Sequence, residues 1–171
     1  MTDVGGPTGD AGDPIGDLGD TSARDPVPVL GPYETVELLR TARRIAIVGA
    51  SAHEWRASYS VMEYLLEQGY DCVPVTPNAS EVLGRPCHPS LEAAVSQGGV
   101  PFDIVNVFRR PEHTPEIARS AVTLGCGALW LQMRIVNWEA ARIAHEGGLK
   151  VVMDRCTAVD HRRLRELTSR A

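Results

Sequence analysis

The sequence has no apolar run approaching the ~20 residues of a membrane-spanning helix, so no membrane contact is expected. It has no excess of positive charge either: 17 basic residues face 22 acidic ones, for a formal net charge of −5. A nucleic-acid partner demands a basic face, and this balance argues against one. Cysteine is sparse: Cys72, Cys87, Cys126 and Cys156 are widely spaced, with no CxxC pair. Such thiols fit a reducing cytoplasm better than a disulfide framework or a zinc site. His53, His88, His113, His145 and His161 nowhere take metal-ligand spacing, so no metal site is expected and each reads as a surface or packing residue. Walker A, HExxH and GxSxG motifs are all missing, and no catalytic arrangement stands out.

What is present divides unevenly. Residues 1–32 hold seven Gly, five Pro and six Asp, with Arg24 their only basic residue. Residues 33–171 carry 16 basic and 16 acidic groups, so the whole acidic excess lies in the leader. Its apolar residues are too few to offset the entropy of ordering it. A disordered acidic leader over 1–32 and a single domain over 33–171 are therefore expected. The leader reads as a solubilising extension, with a partner-binding segment as the alternative. It lacks the charged start and apolar stretch of a secretory signal.

In the body, apolar runs at Ile45–Val48, Asp71–Val75, Asp103–Phe108, Ala128–Leu131 and Lys150–Met153 read as strands, with a short edge strand at Gly84–Cys87. Helical periods separate them. One covers Tyr33–Ala42. Another follows a long turn at 49–59 and starts on the capping-box spacing of Ser60-Val61-Met62-Glu63. Ser90, Thr114 and Asn137 read as caps of three more, and Asp160 as the start of the last. Alternating strands and helices predict an α/β, doubly wound, Rossmann-like parallel sheet of five to six strands. Ligands of such sheets bind beyond the carboxyl ends of the strands, at the switch point. That rule selects the loops at 49–59, 76–78 and 109–111.

The first of these loops follows Ile45-Ala46-Ile47-Val48-Gly49-Ala50-Ser51, a buried strand ending on one glycine. Glycine there permits a sharp turn and close approach by a ligand, and a following helix makes the turn an anion site. The GxGxxG fingerprint of dinucleotide sites is absent. The second strand ends on Thr76-Pro77-Asn78, with no acid to hold the ribose hydroxyls of NAD. Arg56, Arg109 and Arg110 add a basic rim. The pattern suits a ligand with several phosphates and no free ribose diol. Ser51 has two readings, a phosphate donor or a cap of its own turn. Of the adjacent Arg109 and Arg110, one is expected on phosphate and the other against a surface carboxylate.

Several segments in order carry a resemblance. They are Val48-Gly49-Ala50-Ser51, Arg56-Ala57-Ser58-Tyr59, Pro74-Val75-Thr76-Pro77-Asn78, Asp103 through Arg110, Trp130-Leu131-Gln132, Asn137 through Ala141, and Val152 through Cys156. Together they resemble the small stand-alone CoA-binding proteins, related to the nucleotide-binding domain of succinyl-CoA synthetase α subunits. The resemblance implies a coenzyme A or acyl-CoA ligand. It places Gly49, Ala50, Ser51 and Ser58 around the pyrophosphate, Pro77 and Asn78 near the adenosine, and Phe108 with Arg109 along the crevice. Three positions depart from the family's pattern: Thr76 stands for Asn, Ala57 for Pro and Arg134 for Gly. Arg134 is expected to narrow the pantetheine path or to bind an acyl carboxylate. Non-catalytic binding, as a carrier or metabolic sensor, is the expected function. An NAD(P)-dependent oxidoreductase and an acyl-CoA-handling enzyme are the alternatives. No protein partner is indicated. Cys156 reads as a small buried side chain or a reactive thiol, and Trp130 and Trp138 as residues packed in or near the core.

Overall fold

Alternation along each strand builds two cores from one sheet. In β1 (Arg44–Val48), Ile45 and Ile47 face one side and Ala46 and Val48 the other. The same two-sided burial holds in β2 (Asp71–Val75), β5 (Ile104–Val107), β6 (Ala128–Leu131) and β7 (Lys150–Val152). These five strands pair in parallel in the order β2-β1-β5-β6-β7. Against the Ile45 side pack α1 (Pro32–Thr41), α2 (Ala57–Glu67) and α6 (Thr157–Thr168). Against the other pack α3 (Leu91–Gly98), α4 (Thr114–Thr123) and α5 (Trp138–Glu146). The computed structural model describes residues 26–169.

The contacts of α4 and α5 are made with small residues, Ala118 and Ala121 against Ala140, Ala141 and Ala144. Trp130 is fully buried on the opposite face, its Nε1 donating to the Arg155 carbonyl at 2.8 Å. Burying a large side chain of this kind stabilises by about 1.5–3 kcal/mol. Both sheet edges are covered, which blocks edge-to-edge pairing. On the β7 edge, Leu30 N–H donates to Val151 O at 2.8 Å, and Val27 and Val29 pack on the core. On the β2 edge, His88 exchanges backbone bonds with Pro74 and Thr76.

Several expectations are corrected. The sheet has five strands, within the expected five to six, but the expected edge strand at Gly84–Cys87 is not one of them. Arg85–Pro86 forms β4, which pairs only with β3 (Glu81–Val82) in a separate hairpin. Leu83 and Gly84, both at positive φ, make its two-residue turn. The first loop ends at Arg56, since α2 begins at Ala57. Ser60 lies inside that helix, its Oγ donating to Ala57 O at 3.3 Å. Thr114 is the first residue of α4 and not its cap, because a 3₁₀ turn at Pro111–His113 leads into the helix. The last helix begins at Thr157, and Asp160 sits within its first turn in a buried ion pair. Trp138 is 53% exposed at the start of α5 and is not a core residue. The folded body takes in Val27 to Gly31, part of the segment assigned to the leader; residues 1–25 lie outside the described residues.

Candidate functional site

The switch point falls between β1 and β5, whose neighbours lie on opposite sides. Gly49 follows β1 at φ 85, and its N–H donates to Val75 O at 3.0 Å. A Cβ there would stand 3.1 Å from Arg109 Cδ and 3.3 Å from the Phe108 carbonyl carbon, so the Arg109 stem lies across the glycine. Phe108 N–H donates to Val48 O at 2.8 Å, which fixes the second loop against the first.

Beyond this point the chain leaves an open groove of about 640 Å³. Gly49, Ala50, Ser51, Arg56, Thr76, Asn78, Phe108, Arg109 and Arg110 all line it. Ser58 and Pro77 do not. Ser58 lies in a second groove of about 460 Å³, and Pro77 in a smaller crevice of about 200 Å³ beside Glu92 and Glu116. There the Ser120 side chain, hydrogen-bonding the Glu92 carboxyl, is the main cause that holds it below the usual carboxylate range.

Charge distinguishes the larger groove. Three arginines and two histidines line it, and no carboxylate does among the described residues. Within the same residues, Arg56, Arg109 and Arg110 have no acidic partner, against the expected pairing of one of them with a surface carboxylate. Ser51 Oγ accepts from His53 N–H at 3.2 Å, so it caps its own turn while keeping a proton to donate. Thr76 is only 5% exposed, and its Oγ1 accepts from Asn78 N–H at 3.2 Å. An asparagine at that position can accept the same bond, which accounts for the exchange. Helix α2 starts on Arg56 in extended conformation with no side-chain cap; Tyr59 N–H donates to Arg56 O at 3.0 Å, and the amides of Ala57 and Ser58, residues that line the second groove, have no acceptor among the described residues.

Gly49, Trp55, Arg56 and Phe108 border both grooves. The second is lined further by Val61, Gln132, Met133, Ile135 and Cys156. Its character is more apolar, with a buried polar knot below. Gln132 Nε2 donates to Asn106 Oδ1 at 2.8 Å and Thr157 Oγ1 at 2.9 Å. Arg134 does not line it. At φ 67 this arginine is in the left-handed region, its N–H donating to Asp154 Oδ1 at 2.6 Å. The position favours glycine for its backbone and not for space in the groove.

Sequence reasoning missed His53, Trp55 and His113, which it read as surface residues or left aside. Trp55 is 79% exposed and stacks on His53 at 4.4 Å between ring centroids. An indole in a loop of small residues was the available signal. Gln132 and Cys156 were noted, but only folding brings them together.

Among the described residues no cluster of His, Cys, Asp and Glu is placed to hold a metal ion, and no helix is long and apolar enough to cross a membrane. A Bacillus subtilis relative, the uncharacterized protein YneT, is 38% identical over 128 residues, 75% of this chain and 92% of its own. A hypothetical protein from Pyrococcus horikoshii is 39% identical with a TM-score of 0.73, over 80% of this chain and 93% of its own. A Thermus thermophilus protein, cell-free ID.343, is 34% identical with a TM-score of 0.69, over 79% and 99%. The family described as CoA binding domain matches residues 43–162, most of the folded body and every groove residue named above, and the chain belongs to that family.

Proposed function

We propose that this protein binds coenzyme A or an acyl-CoA along the carboxyl edge of its sheet, as a non-catalytic carrier or sensor. The observation that carries the reading is the pair of joined grooves. One is rimmed by arginine and histidine without a carboxylate, and it opens past Phe108 into a more apolar one. A nucleotide with several phosphates suits the first, and a thiol-ended amide arm suits the second. The open amides of α2 supply the anion contacts, and Gly49, without a side chain, lets the ligand come close. At the tip of β2, Thr76 leaves no acid to hold a ribose diol, which disfavours NAD specifically. The four cysteines are free, in keeping with a cytoplasmic setting.

Thermal melting with each candidate ligand tests this. Ligand at ~100 times its dissociation constant adds about 2.7 kcal/mol. For a chain of this size the melting temperature rises by roughly 5–11 °C. Coenzyme A or acetyl-CoA is expected to give that shift, and NAD and NADP are not. The reverse pattern overturns the reading.

A further inference from the structure

The second groove ends at a thiol. Cys156 is the N-cap residue of α6 and lines the groove. Its backbone is pinned on both sides. Arg155 Nε and Nη2 donate to the Asp160 carboxylate at 2.7 and 2.8 Å, and Trp130 Nε1 donates to Arg155 O. Asp160 N–H donates to the Cys156 carbonyl at 3.0 Å. The Cys156 backbone therefore stands at a fixed point, at the positive end of a 12-residue helix.

A second group points into the same groove. Gln132 is 4% exposed, and its amide nitrogen is committed to Asn106 and Thr157. Its Oε1 has no donor among the described residues. No fully buried side-chain oxygen in the fold lacks a partner, so this one opens to the groove. It is an acceptor held ready for an N–H that the protein does not supply.

We propose that Cys156 is a thiol–disulfide exchange site for the coenzyme A arm, with Gln132 Oε1 accepting from an amide N–H of that arm. This rests on the coenzyme A reading and extends it to covalent capture. The Cys156 thiolate attacks one sulfur of coenzyme A disulfide. A bond forms between those two sulfurs and the original S–S bond breaks. The second coenzyme A leaves as a thiolate and takes up the proton that Cys156 released. One disulfide is consumed and one is made, so no further oxidant is needed. The other thiols are poorly suited. Burial pushes Cys72 up to about 12 and also raises Cys126, and Cys87 lies by the β3–β4 hairpin, outside the grooves.

The full chain is incubated with coenzyme A disulfide, pantethine or hydroxyethyl disulfide, and labelling is followed by intact mass and peptide mapping. Pantethine carries the amide arm without phosphates, and hydroxyethyl disulfide carries neither. Cys156 is expected to react about tenfold or more faster with coenzyme A disulfide than with hydroxyethyl disulfide, because the groove holds the reacting sulfur in place. Pantethine is expected between them, and acetyl-CoA, which has no free thiol, to slow the coenzyme A reaction. Equal rates for coenzyme A disulfide and hydroxyethyl disulfide, or label on Cys87 instead, overturn the exchange site. Pantethine no faster than hydroxyethyl disulfide overturns the Gln132 contact. Calorimetry with reduced coenzyme A on the same sample separates the two failures. Heat of binding without selective labelling rejects this proposal alone, whereas no binding at all rejects the reading beneath it.

Discussion

Helices α3 and α5 begin differently from α2 and α6. Ser90 Oγ accepts from Ala93 N–H at 3.2 Å, and Asn137 Oδ1 accepts from Ala140 N–H at 2.8 Å. Each cap satisfies one first-turn amide with a side chain of the fold. Arg56 and Cys156 stand at the same positions in α2 and α6 and offer no side-chain acceptor. Both uncapped starts border the grooves, and the Asn137 cap is turned away, with its Nδ2 on Pro111 O at 2.9 Å. Capped starts serve the scaffold. The uncapped starts of α2 and α6 leave polar groups for something that is not part of the chain.

The strongest test of this contrast loads the open side with the wrong charge. Thr76→Asp keeps the acceptor for Asn78 N–H but places a carboxylate in the carboxylate-free groove. Unit charges ~5 Å apart at an effective dielectric near 20 interact by about 3 kcal/mol. With solvent screening, a loss of about 1–3 kcal/mol is expected, a roughly 5- to 150-fold weaker dissociation constant for coenzyme A. Dephospho-CoA lacks the ribose phosphate and is expected to lose far less. Calorimetric titration of both ligands into both proteins reads the difference, and equal losses would place the ribose phosphate elsewhere.

Gly49→Ala attacks the open side through its backbone. A side chain at φ 85 costs about 1–2 kcal/mol, and the new Cβ presses on Arg109 and Phe108. A lower urea midpoint together with weaker coenzyme A binding is expected. On the closed side, Asn137→Ala removes a cap worth about 1 kcal/mol. Its urea midpoint is expected to fall while coenzyme A affinity holds. A matching fall in affinity would erase the distinction between the two kinds of helix start. The smallest effect is a gain. Ala57 is the first residue of α2, and Arg56 before it is already extended at φ −87 and ψ 137. Proline suits both conditions, so Ala57→Pro is expected to stabilise by about 0.4–1 kcal/mol, read as a higher melting temperature.

The same contrast explains what the sequence reveals. Buried strands declare themselves by unbroken apolar runs, and β2 and β6 have the residue limits expected of them. Ser90 and Asn137 mark their helices because a side-chain cap is a local signal. The starts of α2 and α6 go unread for the converse reason. Ser60 and Asp160 look like caps, but the chain enters the helix three residues earlier, where the first turn faces a groove. Nine of the candidate site residues meet in one groove because they occupy loops at one edge of the sheet. Pro77 turns away into the next crevice. The meeting of Gln132 with Cys156 depends on the loop after β6 lying beside the loop after β7, and strand neighbourhood is a property of topology that no local pattern encodes.

The stacked pair of Trp55 and His53 gives the protein an optical channel of its own. An indole that is exposed and stacked on one neighbour changes its emission when that neighbour or its solvent shell is displaced. Trp130 sits in the core away from both grooves and emits as a constant blue background, and Trp138 lies outside the groove linings. Emission from Trp55 therefore reports, at the mouth of the grooves, the arrival of any molecule that wedges apart or covers the pair.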